Sequence, residues 1–398
     1  MLTIEKIDTN SKKQVERFVS LPYRLYANHP QWVPPLRRDT QLYLNRQKHF
    51  FYEHSEADFF MAARDDRDVG RIAMLDHRLF NDYHNTCQAQ FYLFECEDDQ
   101  EAATALFEQA FAWAKNRGLN KIIGPKGFSV LDPFGILVEG FEHRQMMTMS
   151  NYNYPYYQNL VETVGFVKEV DFSSYYLNPR LLRLPAWVHD IAERTRQKGE
   201  LQVYNLRTRY EGLRLWLAVY LSQHWRWGFQ NVREDFRQTR RAIETYNQTM
   251  VDNWEYYPLP EAEISAMMNE LKWIINPRFL KLVTHQDVVV GGLLALPDLS
   301  WLLQRARGRL ALLSLIDALK TLRRPDWLLL AWIGILPQFR LQGGNVLIFT
   351  ELEKAIVNSG VQHLELHQIA DTAVQVRQDL ETAGFKPYKI HRVYVKNL

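Results

Sequence analysis

The sequence predicts a mixed α/β protein, α+β-like in character, built from two related halves. Three observations carry this. The 398 residues are too many for one ordinary core and suit two domains of roughly 150–200 residues each. Each half contains two apolar runs flanking a polar break, the pattern of a hairpin. Each half also closes alike: VETVGFVKEVDFSSYYL at 161–177 parallels LETAGFKPYKIHRVYV at 380–395, a repeat at a domain-sized period.

In the first half, LTIEKI alternates as a strand and an amphipathic segment covers 11–27. A Pro-broken aromatic connector follows, NHPQWVPPL at 28–36. Asp58 to Ala63 and Val69 to Leu75 form the hairpin around DDRD, and Gln88 to Cys96 is the next strand. A helix runs from about Asp99 to Arg117: Asp98 or Asp99 caps it, Ala102, Leu106, Ala110 and Trp113 share a stripe, and Gly118 stops it. Lys121 to Gly124 is strand-like, and GPKGFSVLDPFGILVEGF is an ordered loop. MMTMSNYN is expected as a strand, PYYQNLVETVGF as a helix with a glycine stop, and FVKEVDFSSYYL as a strand.

The pattern resets at NPRLLRLPAW, which places the boundary between domains 1–178 and 179–398. The second half opens with a helix to about Lys198, the strand LQVYNL, an amphipathic helix at Arg209 to His224 and further helix to about Leu271. Lys281 to Leu296 is the second hairpin. Then come an Arg- and Leu-rich tract at 301–324, a buried strand at 327–336, the turn RLQGGN, a helix to Ser359, the strand HLELHQI, a helix to Ala383 and a last alternating strand.

Composition narrows the function. A net charge of +2 gives no global field for nucleic acid. Two cysteines, Cys87 and Cys96, give neither a disulfide framework nor a zinc spacing, so no metal is expected and both thiols read as reduced, in a cytoplasmic protein. MLTIEKIDTN lacks the apolar core of a signal peptide, and no run is long enough to span a bilayer.

The chemical signal lies at the end of the strand 327–336. After Pro337 come Arg340, Gln342, Gly343, Gly344 and Asn345, with a helix beginning near Val346. Backbone N–H groups at a helix start, aided by the helix dipole, bind phosphate. An arginine adds a charge-assisted contact. This strand–turn–helix resembles the GNAT superfamily of N-acyltransferases, whose Arg/Gln-x-x-Gly-x-Gly/Ala turn holds the pyrophosphate of acyl-CoA. Arg340 and Gly343 match, while Asn345 replaces the usual Gly or Ala. The whole chain also resembles a bacterial group with tandem GNAT-like domains, through NHPQWVPP at 28–35, VGRI at 69–72, Gly124-Pro125, GILVEGF at 135–141 and NYNYPYY at 151–157.

The resemblance implies two tandem GNAT-like domains, each a twisted, mostly antiparallel sheet flanked by helices. It implies acyl-CoA as donor substrate, held by Arg340 to Val346, with a backbone N–H near Ile333 to Ile335 meeting the thioester carbonyl. The family's general acid, a Tyr five positions before the Phe of Gly-Phe, is replaced by Leu380. Glu365, His367, Tyr388 and His391 are the remaining candidates, and alternation puts Glu365 and His367 on one face. In the first half, Glu95, Glu97, Asp98 and Asp99 occupy the place of the phosphate turn, so that copy is expected not to hold CoA in the usual way. Asn151, Asn153 and Tyr156 are candidates to bind an acceptor.

The reading is an N-acyltransferase moving an acetyl or longer acyl group to an amine or lipid-like acceptor, as monomer or homodimer. Two others stand beside it: a non-catalytic CoA- or ligand-binding module, and an aminoacyl-tRNA-dependent transferase of the peptidoglycan type. Residues 302–324 also read as an interfacial amphipathic helix or as a packed one; the interfacial form would give peripheral membrane contact.

Overall fold

A computed structural model of the chain describes residues 1–182, 184–206, 230–271, 274–309, 312–357 and 359–398. The helix expected at Arg209 to His224 lies outside the described residues. The first half contains β1 (Leu2–Lys6), α1 (Lys12–Leu25), α2 (Arg37–Leu44), β2 (Glu56–Arg64), β3 (Arg67–Asp76), α3 (Arg78–His84), β4 (Gln88–Cys96), α4 (Gln100–Lys115), β5 (Lys121–Gly124), β6 (Ile136–Glu139), α5 (Tyr157–Thr163) and β7 (Val167–Leu177). The second contains α6 (Ala186–Lys198), β8 (Gln202–Asn205), α7 (Gln230–Thr249), α8 (Glu261–Leu271), β9 (Leu280–His285), β10 (Val288–Pro297), α9 (Ser300–Ala306), α10 (Leu312–Arg323), β11 (Trp327–Ile335), α11 (Gly344–Val357), β12 (His363–Ala370), α12 (Val374–Thr382) and β13 (Lys386–Asn397).

Local chemistry explains most of these elements. Asp99 accepts from the Ala102 N–H at 3.1 Å and caps α4, whose inner face buries Leu106, Phe107, Ala110 and Trp113. Gly199 ends α6 in the left-handed conformation, φ +74°. The tract Ile136–Glu139, expected as loop, is a short strand. Its partner beside β13 is joined by a side chain: Asn153 accepts from the Leu137 N–H at 2.7 Å and donates to the Leu137 carbonyl at 3.0 Å, as a neighbouring strand would. MMTMSNYN is not a strand. Met147 is left-handed (φ +48°), and the Met146 and Met147 N–H groups donate to the hydroxyls of Ser150 and Ser300 instead of to a ladder. Residues 302–324 are not one helix either, because Arg307 and Gly308 are both left-handed and separate α9 from α10.

The thirteen strands of the described residues join one sheet, in the order β1-β2-β3-β4-β5-β13-β7-β12-β11-β10-β9-β8, with β6 beside β13. Most neighbours are antiparallel; β4–β5 and β11–β12 are parallel. The terminal strands are exchanged. β13, from the end of the second half, pairs with β5 (Tyr394↔Gly124), and β7, from the end of the first, pairs with β12 (Leu364↔Leu177). β7 and β13 pair with each other at the junction. The cores follow the exchange. Tyr394 packs among Phe91, Phe107, Tyr157 and Phe166 of the first half, whereas Tyr175 and Leu177 pack among Leu347, Ile348 and Leu364 of the second. Among the described residues, no helix is long and apolar enough to cross a membrane.

Removing β13 therefore takes a strand and a buried Tyr out of the first half. A chain ending at residue 385 is expected to lose the near-ultraviolet circular dichroism and cooperative urea transition of both halves. Retention of a full-amplitude transition by the truncated chain would contradict the exchange.

Candidate active site

β11 and β12 run parallel and pair over four positions, from Trp327↔His363 to Leu330↔Leu366. β11 then continues along β10 to Gly291↔Ile335, while β12 continues along β7 to Ala370↔Phe172. The two strands thus diverge beyond Leu330, and among the described residues the β12-facing edge of residues 332–335 has no strand partner. Ala331 is the extra residue of a bulge in the β10–β11 ladder, which turns that edge outward. Alternate N–H groups of an unpaired strand edge point into such a gap. Ile333 is half-buried and Ile335 buried, both against the core beneath α11.

A 3-10 turn, Pro337–Gln342, leads from β11 to α11. The Arg340 guanidinium donates to the Ile335 carbonyl at 3.2 Å and meets Asp252 at 3.2 Å, and both charged groups are well exposed. Gln342 donates to the Gln338 carbonyl at 3.0 Å. Gly343 has φ +88°, and a Cβ there would lie 2.2 Å from the Thr195 hydroxyl of α6. Its lack of a side chain thus lets α6 lie against the start of α11. Gly344 opens α11, whose first N–H groups have no partner within the helix. Asn345 is exposed at that end and Val346 half-buried.

The same place in the first half is built differently. β4 also bulges, at Leu93 (φ +50°), and pairs with β5 over only three positions. Beyond the bulge its backbone is covered: the Cys96 N–H donates to Tyr157 Oη at 3.0 Å, and Tyr156 Oη donates to the Cys96 carbonyl at 2.9 Å. Glu95 is enclosed, accepting from Tyr26 at 2.7 Å and Tyr157 at 2.8 Å with the Arg71 guanidinium at 4.0 Å. Burial raises its pKa. Glu97 meets Arg24 and Arg67, and Asp99 meets Arg64. These carboxylates neutralise neighbouring arginines where the second half leaves helix N–H groups and an exposed arginine.

Glu365, His367 and Tyr388 come together, with groups that sequence reasoning missed. Glu365 is fully buried. It accepts from the Tyr388 hydroxyl, and the Lys389 ammonium lies 3.1 Å away. Lys389 also donates to the Arg144 carbonyl at 3.3 Å. His367 Nδ1 is 3.9 Å from Glu365 and 3.4 Å from the Ser174 hydroxyl of β7. Burial, helped by Lys389, lowers the His367 pKa to about 3. Burial, with Glu365 next, raises Tyr388 far above the ordinary phenol value. His391 donates from Nε2 to the Asn151 carbonyl at 2.9 Å, which leaves Nδ1 buried without a hydrogen bond among the described residues; burial lowers its pKa to about 3. Alternation along β13 puts Lys389 and His391 on one face. Only the exchange of strands brings that face to Glu365 and Ser174.

The acceptor candidates mostly bind the chain itself. Asn151 donates to the Gly135 carbonyl at 2.8 Å, Asn153 serves β6, and Tyr156 covers Cys96. Among the described residues no cluster of His, Cys, Asp and Glu could hold a metal.

The parallel strands that part at a bulge, with a turn and helix between them, are the architecture of the GNAT fold, and this chain carries it twice. Its structure aligns over its full length, and over 98% of the other chain, with a tandem GNAT protein from the clavulanic acid biosynthesis pathway, at a TM-score of 0.52 and 12% identity. No protein-family model matches the chain. In sequence it is 25% identical to the bacterial ceramide synthase of Caulobacter vibrioides over 405 residues, covering 98% of this chain and 97% of that protein. It is 22% identical to protein YghO of Escherichia coli K12 over 406 residues, covering 98% and 94%.

The two glycines of the turn differ in what they tolerate. Gly343→Ala is expected to cost roughly 2 kcal/mol, from positive φ and the contact with Thr195. Gly344→Ala, in helical conformation with Ile335 able to yield, stays within about 0.5 kcal/mol of the parent. Urea unfolding of both variants measures the difference; equal costs would contradict this account of the turn.

Proposed function

We propose that the chain is an N-acyltransferase that moves a long acyl group from acyl-CoA to the amine of a lipid. The supporting observation is the open β11 edge and exposed turn of one copy in a chain that is similar, end to end, to a bacterial ceramide synthase. A ceramide is the amide of a fatty acid and a sphingoid amine, so a long-chain amino alcohol is the acceptor that this similarity suggests. In this reading domains 1–178 and 179–398 divide the labour: the second holds the donor, and the first closes over the acceptor.

Arg340 and the N–H groups of Gly344, Asn345 and Val346 would hold the pyrophosphate, an anion that suits an exposed guanidinium and a helix start. Gln342 borders it. The unpaired β11 edge around Ile333 and Ile335 supplies N–H donors for the thioester carbonyl as it gains negative charge. The amine nitrogen attacks the carbonyl carbon, the C–N bond forms and the C–S bond breaks. The amine proton passes to the Tyr388 oxygen as Tyr388 gives its own to Glu365; Glu365 then returns that proton to Tyr388, and Tyr388 protonates the departing thiolate, which restores the pair. Lys389 balances the carboxylate, and His367, neutral, orients beside it. The full burial of Glu365 favours one other reading, a CoA-binding module without turnover.

The test is incubation with palmitoyl-CoA and sphinganine, hexadecylamine or a short amine, following amide by mass spectrometry and free thiol by absorbance. The expected result is equimolar amide and thiol with a long-chain amine. Asn345→Glu, which adds a carboxylate at an exposed position, is expected to weaken acyl-CoA binding at least tenfold. Binding without amide from any amine would support the binding module instead. Unchanged affinity in Asn345→Glu would remove the donor from this turn.

A further inference from the structure

α6 is amphipathic in an unusual sense. Val188, Ala192 and Thr195 face inward and are buried. On the α11 side, His189 meets Glu353 at 3.3 Å and Arg196 donates to Thr350 at 3.0 Å, so the helix is firmly seated against α11. The outward stripe, at i, i+4, i+7 and i+11, reads Trp187, Ile191, Arg194, Lys198. Its first half is apolar and uncovered: Trp187 is 59% exposed and Ile191 37%. Leu181, just before the helix, is 72% exposed. Arg180, Arg194 and Lys198 are exposed and make no ion pair among the described residues. Against them stand Asp190 and, past Gly199, Glu200; Glu193 is tied to Arg196 at 3.6 Å.

We infer that this face of α6 seats the protein on the surface of an anionic lipid bilayer, with Trp187, Ile191 and Leu181 entering the headgroup boundary and the cations meeting lipid phosphates. Trp is suited to that boundary, with an apolar body and one N–H donor. An exposed apolar stripe continued by basic residues is the pattern of an interfacial helix. A protein partner fits less well. The three apolar side chains offer on the order of 350 Å², where a stable protein interface covers roughly 1,000 Å² or more. The location also differs from the Arg-rich tract 302–324, where two left-handed residues interrupt the helix. Because Thr195 lies against Gly343, the seated face would border the turn at the head of α11. This docking stands on α6 alone and does not depend on the reaction proposed above.

The experiment is flotation of the full chain with phosphatidylcholine vesicles containing 30% phosphatidylglycerol, and with pure phosphatidylcholine. The wild type is expected to float with the anionic vesicles, less with the neutral ones, and less as salt rises. Trp187→Ser with Ile191→Ser is expected to lower flotation at least fivefold, and Arg194→Glu with Lys198→Glu comparably. Val167→Ser, at an exposed apolar position where β7 begins in the first half, should change nothing. Circular dichroism confirms that each variant is folded. Wild-type protein that stays with the pellet, or double variants that float like the parent, would overturn the inference. So would a concentration-dependent dimer in vesicle-free buffer that the Trp187/Ile191 variant abolishes, because the face would then belong to a second copy. Flotation is read without turnover, so it stands or falls separately from the acylation assay.

Discussion

β7 and β13 lie side by side at the middle of the sheet, each closing the half to which it does not belong in sequence. The exchange constrains everything around it. It fuses two sheets into one ladder, so that neither half has a free edge at the junction. It places Tyr394 in the first core and Tyr175 and Leu177 in the second, which ties the stability of the halves together. It also assembles the buried polar group: Glu365 and His367 come from β12, Tyr388, Lys389 and His391 from β13, and Ser174 from β7. A buried carboxylate needs a partner of opposite charge, and here the partner arrives on an exchanged strand.

The two copies show how one architecture is made open or closed. Both fourth strands bulge, and both part from their parallel neighbour. In the first copy, tyrosine hydroxyls take up the freed backbone at Cys96, and Glu95, Glu97 and Asp99 are already paired with tyrosines and arginines. In the second, the corresponding edge meets no strand among the described residues, and the turn leaves Arg340 and Asn345 exposed. Gly343 has a structural duty there, admitting α6, while Arg340 is held at the surface by the Ile335 carbonyl and Asp252. The same helix α6 carries the uncovered Trp187 and Ile191 stripe. Thr195, one turn on from Ile191, is the residue that meets Gly343, so the turn and the apolar stripe adjoin along one helix.

What could be seen in the sequence follows from the range of the forces involved. Hairpins, caps and glycine stops are set by residues a few positions apart, so β2–β3, β9–β10, the Asp99 cap and the left-handed Gly118 follow from pattern alone. The repeat at VETVGF and LETAGF showed two copies, and the turn at Arg340 marked the second as different. The exchange was hidden because alternation says which face a residue occupies and nothing about which strand lies beside it. Glu365 and His367 were therefore placed on one face, while Lys389 and Ser174, brought by distant strands, were missed. MMTMSNYN misled for a related reason: its backbone is held by serine hydroxyls, one of them from α9, far along the chain.

Acyl-CoA is proposed to bind in the second copy and not in the first. Hydrogen exchange followed by mass spectrometry, with and without palmitoyl-CoA, measures this directly. Protection is expected over residues 331–347, which span the bulge, the open β11 edge and the start of α11, with no change over 93–101. Protection over 93–101 in place of 331–347, or none in either segment at saturating ligand, would contradict it.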